Sequence, residues 1–158
     1  ENDVVYKYLQ TGLYEPRKSV PTIANAMDVG DPSNFARILD LYHHSHEAMR
    51  QDIQGFRYSD KEIRKVVKEV YSESGYLLDP HGATAYQALI EGLQPGESGV
   101  FLETAHPAKF LGPMEKIVGE GNVPIPDKLS GFLEGEKQSV PLSKEFDDFK
   151  AFLMNSRD

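Results

Sequence analysis

The stretch GVFLETAHPAKF, residues 99–110, decides how the fold of this chain is interpreted. A short apolar run, residues 99–102, comes first. It is followed by an acid, a hydroxyl and an imidazole, at Glu103, Thr104 and His106. Pro107 then allows a helix to begin, because proline is tolerated in the first turn of a helix. The stretch therefore predicts a strand, a polar turn and a helix in succession.

The same order of elements occurs once before in the chain. Tyr76 to Leu78 form a short apolar run, Asp79 and Pro80 follow, and an amphipathic pattern continues to Leu93. Two strand-turn-helix units in series are typical of a parallel α/β sheet. Ligands of such sheets bind beyond the carboxyl ends of the strands. Polar residues that follow the two runs, such as Asp79 and His81, are therefore candidates for a binding site.

Helix signals occur along most of the chain. The clearest is the capping box Ser59–Glu62, after which apolar residues recur at helical spacing until Gly75. Further helices are expected to begin near Asp3, Phe35, Ser45 and Ser143. Five or so helices with only two strands, or at most three, exceed what a complete open sheet needs. We therefore predict the end of a larger α/β protein, with a mostly helical domain and a minor sheet as the alternative.

Composition excludes several classes of function. The net charge of −8 and the pI near 5.1 argue against nucleic acid as a partner, because phosphate backbones require a basic face. Cysteine is absent, so the chain has no disulfide and no thiolate metal site. No long apolar run or secretory signal is present, and we expect a soluble, cytoplasmic protein without a membrane partner. The start at Glu1 instead of Met predicts a trimmed or truncated N-terminus.

Two groups of residues suggest chemistry that we do not assign. His43, His44 and His46 have spacings that could place imidazoles on one helix face, but they match no recognised metal signature. We interpret them as solvated histidines at a helix end and predict no metal. Lys109 could be an amine nucleophile, but nothing local buries it, so an exposed or salt-bridged lysine is the preferred interpretation.

The residues that follow the two apolar runs have two interpretations each. Side chains in these positions either contact a ligand or cap and brace the helices that follow. Capping suits Asp79 in particular, whereas His81 and His106 are open to both roles. The Thr104 hydroxyl could bond to a heteroatom of a bound ring, but from spacing alone an ordinary helix cap is the simpler interpretation.

Three segments together resemble a known family. They are TIANAMDVGDPSNF (residues 22–35), DPHGATAYQAL (79–89) and ETAHPAKF (103–110), and they look like the C-terminal portion of threonine synthase. That family consists of pyridoxal-phosphate enzymes of the tryptophan-synthase-β class. The resemblance implies an α/β fold, the C-terminal portion of a fold-type II open sheet, helix-rich with two or three strands. Residues 1–158 would form one fragment, with a core over 1–122 and a C-terminal loop and helix over 123–158.

The resemblance also implies an activity. Threonine synthases convert O-phospho-L-homoserine and water into L-threonine and phosphate, with pyridoxal 5'-phosphate as the electron sink. By this likeness Thr104 would approach the ring nitrogen of the cofactor, and Ala105 and His106 would shape the wall beside it. Residues expected near the substrate or the site are Asn25, Asp28, Ser33, Asn34, Asp79 and His81.

Two parts of the family's site are missing from this sequence. The lysine that binds the cofactor covalently and the glycine-rich loop that holds its phosphate both belong to earlier parts of the family's chain. We therefore expect no catalytic residue here, an inactive isolated chain, and the remaining N-terminal part of the same enzyme as partner. Two rival hypotheses are a non-catalytic acidic binding module and, ranked last, a metal-assisted phosphohydrolase that uses the histidines with Asp28 or Asp31.

Overall fold

The computed structural model describes residues 1–133 and 135–155, and within these ranges the chain is helical with no β-strand. The α-helices are α1 (Val4–Thr11), α2 (Phe35–Leu41), α3 (His46–Asp52), α4 (Asp60–Ser74), α5 (Pro80–Gly92), α6 (Leu111–Val118), α7 (Asp127–Leu133) and α8 (Phe146–Asn155). Two short 3₁₀ turns cover Asn25–Met27 and Pro107–Phe110. The chain divides into two compact units, the first ending at Pro124 and the second beginning at Ile125.

The predicted helix ends are formed by local interactions. At the start of α4, Ser59 Oγ accepts from the Glu62 N–H at 3.4 Å, and the Glu62 carboxylate accepts from the Ser59 N–H at 2.7 Å. Helices α1 and α4 both end at a glycine in the left-handed region, Gly12 with φ 75° and Gly75 with φ 74°. Glycine adopts this conformation without the steric cost of a Cβ. The capping box and the end of α4 at Gly75 are thus confirmed.

The helix expected from Pro107 is divided into two parts. A 3₁₀ turn covers Pro107–Phe110, and α6 begins afresh at Leu111 because Phe110 leaves the helical region, with φ −115° and ψ 36°. Pro113 explains the restart. Proline has no N–H and clashes with the preceding turn inside a helix, but it is tolerated in the first turn, where α6 places it.

Two groups of contacts hold the first unit together. Helix α1 packs on α3, and Phe35 lies between two tyrosine rings, with centroids 4.8 Å from Tyr8 and 4.6 Å from Tyr14. Helix α4 packs on α5 and α6. Val67 of α4 and Met114 of α6 are fully buried there. The second group is the one that supports the two polar turns, because α5 and α6 each follow one of them.

The two or three predicted strands are not confirmed. Residues 76–78 and 99–102 contain no strand, and within the part of the chain that the structure describes they form no backbone ladder with another segment. Sequence patterns predict an extended backbone, but a strand also requires a hydrogen-bonded neighbour. Val100 and Leu102 are 86% and 72% exposed, so one face of the second run is uncovered.

The second unit contains two helices, α7 and α8, and α8 is the C-terminal helix expected near Ser143. Ser143 lies just before α8, and its Oγ accepts from the Glu145 N–H at 3.1 Å. Phe146 and Leu153 on this helix are at least half exposed. In residues 1–133 and 135–155, no helix has the length and apolar character needed to cross a membrane.

Candidate functional site

The candidate site is centred on residues 103–106, the polar turn after the second apolar run. Side chains alternate along this extended segment: Glu103 and Ala105 are partly covered, whereas Thr104 and His106 are exposed. Phe101, on the covered side, packs edge-on against Tyr86 of α5 with ring centroids 5.6 Å apart. One side of the segment therefore packs on α5, and the side that carries Thr104 is exposed.

Thr104 and His106 use their side chains differently. The Thr104 hydroxyl has no hydrogen-bond partner among the described residues, and so it does not cap the helix that follows. That role belongs to His106, whose Nδ1 accepts from the Ala108 N–H at 3.1 Å. Lys109, in the same 3₁₀ turn, is exposed, as the sequence predicts.

Asp79 caps α5 and is completely buried. Its Oδ1 accepts from the His81 N–H at 2.9 Å, and its Oδ2 accepts from the Gly82 N–H at 3.4 Å. His81 Nδ1 also lies 2.7 Å from Oδ1. Because a carboxylate can only accept, Nδ1 is the ring nitrogen that carries hydrogen. The predicted cap is confirmed, and it orients the imidazole of His81 as well.

The side chain of Glu103, in the segment 103–106, approaches the capped end of α5. Its carboxyl group lies against Gly82, so closely that a Cβ built on Gly82 would be 2.0 Å from Glu103 Oε1. Glu103 Oε1 and His81 Nε2 are both buried and have no partner in the described ranges. The ring of His81 also packs on Phe110 of the 3₁₀ turn, with centroids 5.0 Å apart.

The two carboxyl groups have opposite pKa shifts. Burial and the neighbouring negative charge of Asp79 raise the pKa of Glu103 to about 8. Burial acts to raise the pKa of Asp79 too, but its interaction with Glu103 and the hydrogen bonds from His81 outweigh burial and lower that pKa. These opposite shifts favour a single proton on the pair near neutral pH.

The segment 22–35 forms a separate structured loop. Asp28 is bound within it, accepting from the Thr22 N–H at 2.9 Å, from the Thr22 hydroxyl at 2.6 Å and from Asn2 Nδ2 at 3.0 Å. The other expected residues of the loop are exposed, namely Asn25, Ser33 and Asn34. No hydrogen bond, ion pair or ring contact in the described ranges joins this loop to residues 103–106. The structure thus brings together Asp79, His81 and Glu103, but not the loop residues.

The three clustered histidines separate into two kinds. His43 and His44 are exposed and have positive φ angles of 50° and 60°. His46 is partly buried, with Nε2 3.1 Å from the Leu9 carbonyl oxygen and its ring 5.2 Å from that of Tyr8. The prediction of a solvated side chain is therefore wrong for His46, which braces α1 against α3. In the residues that the structure describes, no group of His, Cys, Asp and Glu could hold a metal.

Sequence reasoning missed the part played by Gly82. Glycine in the first turn of a helix is less favourable than alanine by about 1 kcal/mol, and its presence there is a signal of close approach by another group. The group in question is the Glu103 carboxyl, which is 21 residues further along the chain.

Comparison with known proteins places these features in a family. Residues 1–103 match the family described as pyridoxal-phosphate dependent enzyme, and residues 81–153 match threonine synthase, C-terminal. A threonine synthase of Haemophilus influenzae is 37% identical over 155 residues, which cover 98% of this chain and 36% of that protein. The chain thus spans about a third of the length of this relative.

Solved structures give the same result. The crystal structure of threonine synthase from Escherichia coli matches 99% of this chain and 36% of its own, with a TM-score of 0.86 and 34% identity. A pyridoxal-phosphate-bound threonine synthase from Brucella melitensis matches 99% of this chain and 39% of its own, with a TM-score of 0.72 and 27% identity. The resemblance that the three sequence segments indicate is confirmed.

Proposed function

Because the chain belongs to the family of pyridoxal-phosphate-dependent enzymes, we propose that it is the C-terminal part of a threonine synthase and contributes one wall of the cofactor site. The whole enzyme would convert O-phospho-L-homoserine and water into L-threonine and phosphate. The observation that carries the proposal is the state of Thr104. Its hydroxyl is exposed, has no partner among the described residues, and lies in a segment held in place on both sides.

The residues of this wall suit the pyridine side of the cofactor. A threonine hydroxyl can donate to or accept from a ring nitrogen, and that of Thr104 is not engaged elsewhere in the described structure. Ala105 is small enough to let a flat ring approach. His106 is oriented by its bond to the Ala108 N–H, which fixes the imidazole beside Thr104. These three residues are our candidates for cofactor contacts.

Other parts of the site must come from elsewhere. Pyridoxal phosphate supplies an electron sink when it is bound, and the protein must anchor and orient it. All eleven lysines of this chain are exposed, so none lies in a buried position that would lower its pKa for covalent attachment. The described helices also have no glycine-rich phosphate-binding loop before them. We infer that the remaining N-terminal part of the enzyme provides both functions.

Exposed apolar residues also support the remaining N-terminal part of the enzyme as the partner. Val100 and Leu102 are exposed in a run whose backbone is unpaired in the described structure. Large apolar side chains on an unpaired strand edge are unfavourable in water and favour pairing with another strand. The isolated chain would therefore lack both the rest of the sheet and the cofactor anchor. We expect it to have no activity, since a divided site loses the positioning on which its rate depends.

Asn25, Asp28, Ser33, Asn34, Asp79 and His81 remain proposals for the surroundings of the substrate. Asp28 and Asp79 are engaged in bonds that fix the backbone, so we assign them to shaping the site. Asn25, Ser33 and Asn34 are exposed and are the better candidates for direct contact. A cytoplasmic location also remains a prediction.

The test is phosphate release from O-phospho-L-homoserine by a chimera in which this chain replaces the matching third of the Escherichia coli enzyme. Thr104→Val keeps the shape of the side chain but removes the hydroxyl, whereas Thr104→Ser keeps the hydroxyl. We expect Thr104→Val to lower kcat/KM by about tenfold or more, the value of one lost hydrogen bond, and Thr104→Ser to cost much less.

Three outcomes would count against the proposal. The first is a chimera that neither binds the cofactor nor releases phosphate while the Escherichia coli enzyme, prepared in parallel, does both. The second is equal activity of Thr104→Val and the unmodified chimera, which would remove Thr104 from the cofactor wall. The third is phosphate release by the 158-residue chain alone, which would contradict the expected inactivity.

A further inference from the structure

We propose that Glu103 is a positioning residue, whose protonated carboxyl group joins the carboxylate of Asp79 and so ties residues 103–106 to the N-terminus of α5. Its role for a cofactor wall rests on the proposed function. The carboxyl pair itself rests on the approach of the Glu103 carboxyl to Gly82, whose N–H donates to Asp79 Oδ2, and on the burial of both carboxyl groups.

The two carboxyl groups differ in their supply of hydrogen-bond donors. Asp79 has three, the backbone N–H groups of His81 and Gly82 and the ring Nδ1 of His81. Glu103 Oε1 is buried and has no partner in residues 1–133 and 135–155. A buried carboxylate without donors is costly, whereas a protonated carboxyl group can itself donate. The geometry therefore assigns the negative charge to Asp79 and the proton to Glu103.

Gly82 makes this approach possible. Any side chain there would place a Cβ 2.0 Å from Glu103 Oε1 and displace the carboxyl group from the end of α5. The same helix end also holds the other side of the turn, because His81 packs on Phe110. Residues 103–106 are thus fastened to α5 both before and after Thr104.

Few charges act on the pair. The titratable groups that interact here are Asp79 and His81 at the start of α5 and Glu103 on the neighbouring segment. His106 and Lys109, which follow Glu103, are exposed. No lysine or arginine in the described part of the chain contributes to the shift of either carboxyl. Loss of the shared proton would therefore leave two adjacent negative charges without a compensating cation, and these would separate.

The first experiment is a carboxyl ¹³C titration of the labelled 158-residue chain, with Glu103→Gln to assign the signal. We expect the Glu103 carboxyl to titrate near the pKa of about 8 that its surroundings produce. In Asp79→Asn the midpoint should move down, because the neighbouring charge is gone. A midpoint near the ordinary glutamate value of about 4.3 in the unmodified chain would overturn the proposal.

The second experiment measures positioning, through hydrogen exchange of the Ala108 N–H that bonds to His106 Nδ1. Glu103→Gln keeps an uncharged donor and should keep the protection. Glu103→Ala should lower it by about tenfold, the value of one hydrogen bond. Glu120→Ala, an exposed glutamate on a neighbouring loop, is the control and should change nothing.

Equal protection in Glu103→Gln and Glu103→Ala would overturn the positioning role, whether both keep it or both lose it. If Glu103→Ala does not fold, the unmodified chain and Glu103→Gln decide the question. Protection should fall between about pH 5 and about pH 8 in the unmodified chain relative to Glu103→Gln, since over this range only the opened form of the unmodified chain has lost the Glu103 proton. None of these measurements needs the cofactor, so failure of the proposed function and failure of the carboxyl pair are distinguishable.

Discussion

The Glu103 carboxyl group occupies the space where a side chain on Gly82 would begin. A Cβ at Gly82 would lie 2.0 Å from Oε1, 2.3 Å from Cδ and 2.5 Å from Oε2 of Glu103. These atoms belong to the end of a flexible side chain, which in open solvent would simply move aside. Here Oε1 is buried, so movement also separates Glu103 from Asp79.

Gly82→Ala is therefore expected to destabilise the chain, by about 1 to 3 kcal/mol as for other overpacked sites. Helix propensity alone predicts the opposite sign, because alanine is favoured over glycine by about 1 kcal/mol. Gly112→Ala is the matched control, since Gly112 is in the first turn of α6 and has no atom within 4 Å of its Cβ position. Urea denaturation measures both free energies of unfolding.

A second substitution identifies the clash. In a Glu103→Ala background the cost of Gly82→Ala should fall, because the group that it meets has been removed. If the effects of Gly82→Ala and Glu103→Ala on the free energy of unfolding are simply additive, Gly82 and Glu103 do not approach closely. The same conclusion would follow if Gly82→Ala were as stable as Gly112→Ala.

The carboxyl pair also predicts how stability depends on pH. The native pKa of Glu103 is raised to about 8, so its contribution is fully present below the unfolded pKa of about 4.3 and is lost as pH rises through about 8. Asp79 acts in the opposite sense: its pKa is lowered, and its contribution is lost as pH falls below the ordinary aspartate range. The unmodified chain should therefore lose stability relative to Glu103→Gln between about pH 5 and about pH 8.

Urea denaturation of both chains across this range provides the measurement. Glu120→Gln, which replaces an exposed glutamate, serves as the control and should follow the unmodified chain. Parallel pH profiles for Glu103→Gln and the unmodified chain would rule out a raised pKa at Glu103.

The helix ends could be predicted from sequence because each depends on residues close together in the chain. The Ser59–Glu62 box, the Asp79 cap and the glycine end at Gly75 all follow from side chains within a few positions of the backbone that they satisfy. The strands could not be predicted in the same way, since a ladder depends on a neighbour that sequence patterns do not specify. Ile90 lies within the amphipathic pattern that continues to Leu93 but is 54% exposed, so this side of α5 is not covered by the described residues.

The same difference between local and distant contacts applies to the candidate site. The Asp79 cap follows from residues next to it in the sequence, whereas the role proposed for Thr104 follows from the resemblance to a family. The approach of Glu103 to Gly82 spans 21 positions and depends on how residues 103–106 lie along α5. The pKa of Glu103 follows from that packing and from no local pattern.

Removal of the α4 cap tests one of the local predictions. Ser59→Ala deletes the oxygen that accepts from the Glu62 N–H and should lower the free energy of unfolding by about 1 kcal/mol. Ser72→Ala changes an exposed serine within the same helix and should be neutral or slightly stabilising. Thermal unfolding of the two variants compares them directly, and a Ser59→Ala chain as stable as Ser72→Ala would show that the box contributes nothing.

The loop that carries Asp28 depends on a glycine in a different way. A Cβ on Gly30 would lie 2.0 Å from the backbone oxygen of Arg17, and the Arg17 N–H donates to the Gly30 oxygen at 2.9 Å. Backbone atoms cannot move aside as a side-chain end can. Gly30→Ala should therefore force residues 17 and 30 apart and cost about 1 to 3 kcal/mol.

Ser33→Ala provides the control for this loop, because Ser33 is exposed and its substitution should change stability by less than about 0.5 kcal/mol. Local disruption should also be visible in the Thr22 N–H, which bonds to Asp28 and should exchange faster in Gly30→Ala than in Ser33→Ala. If Gly30→Ala unfolds at the same urea concentration as Ser33→Ala, the two segments do not approach as closely as the structure has them. A stable variant with fast Thr22 exchange would instead place the cost in the loop alone, where the candidate substrate contacts lie.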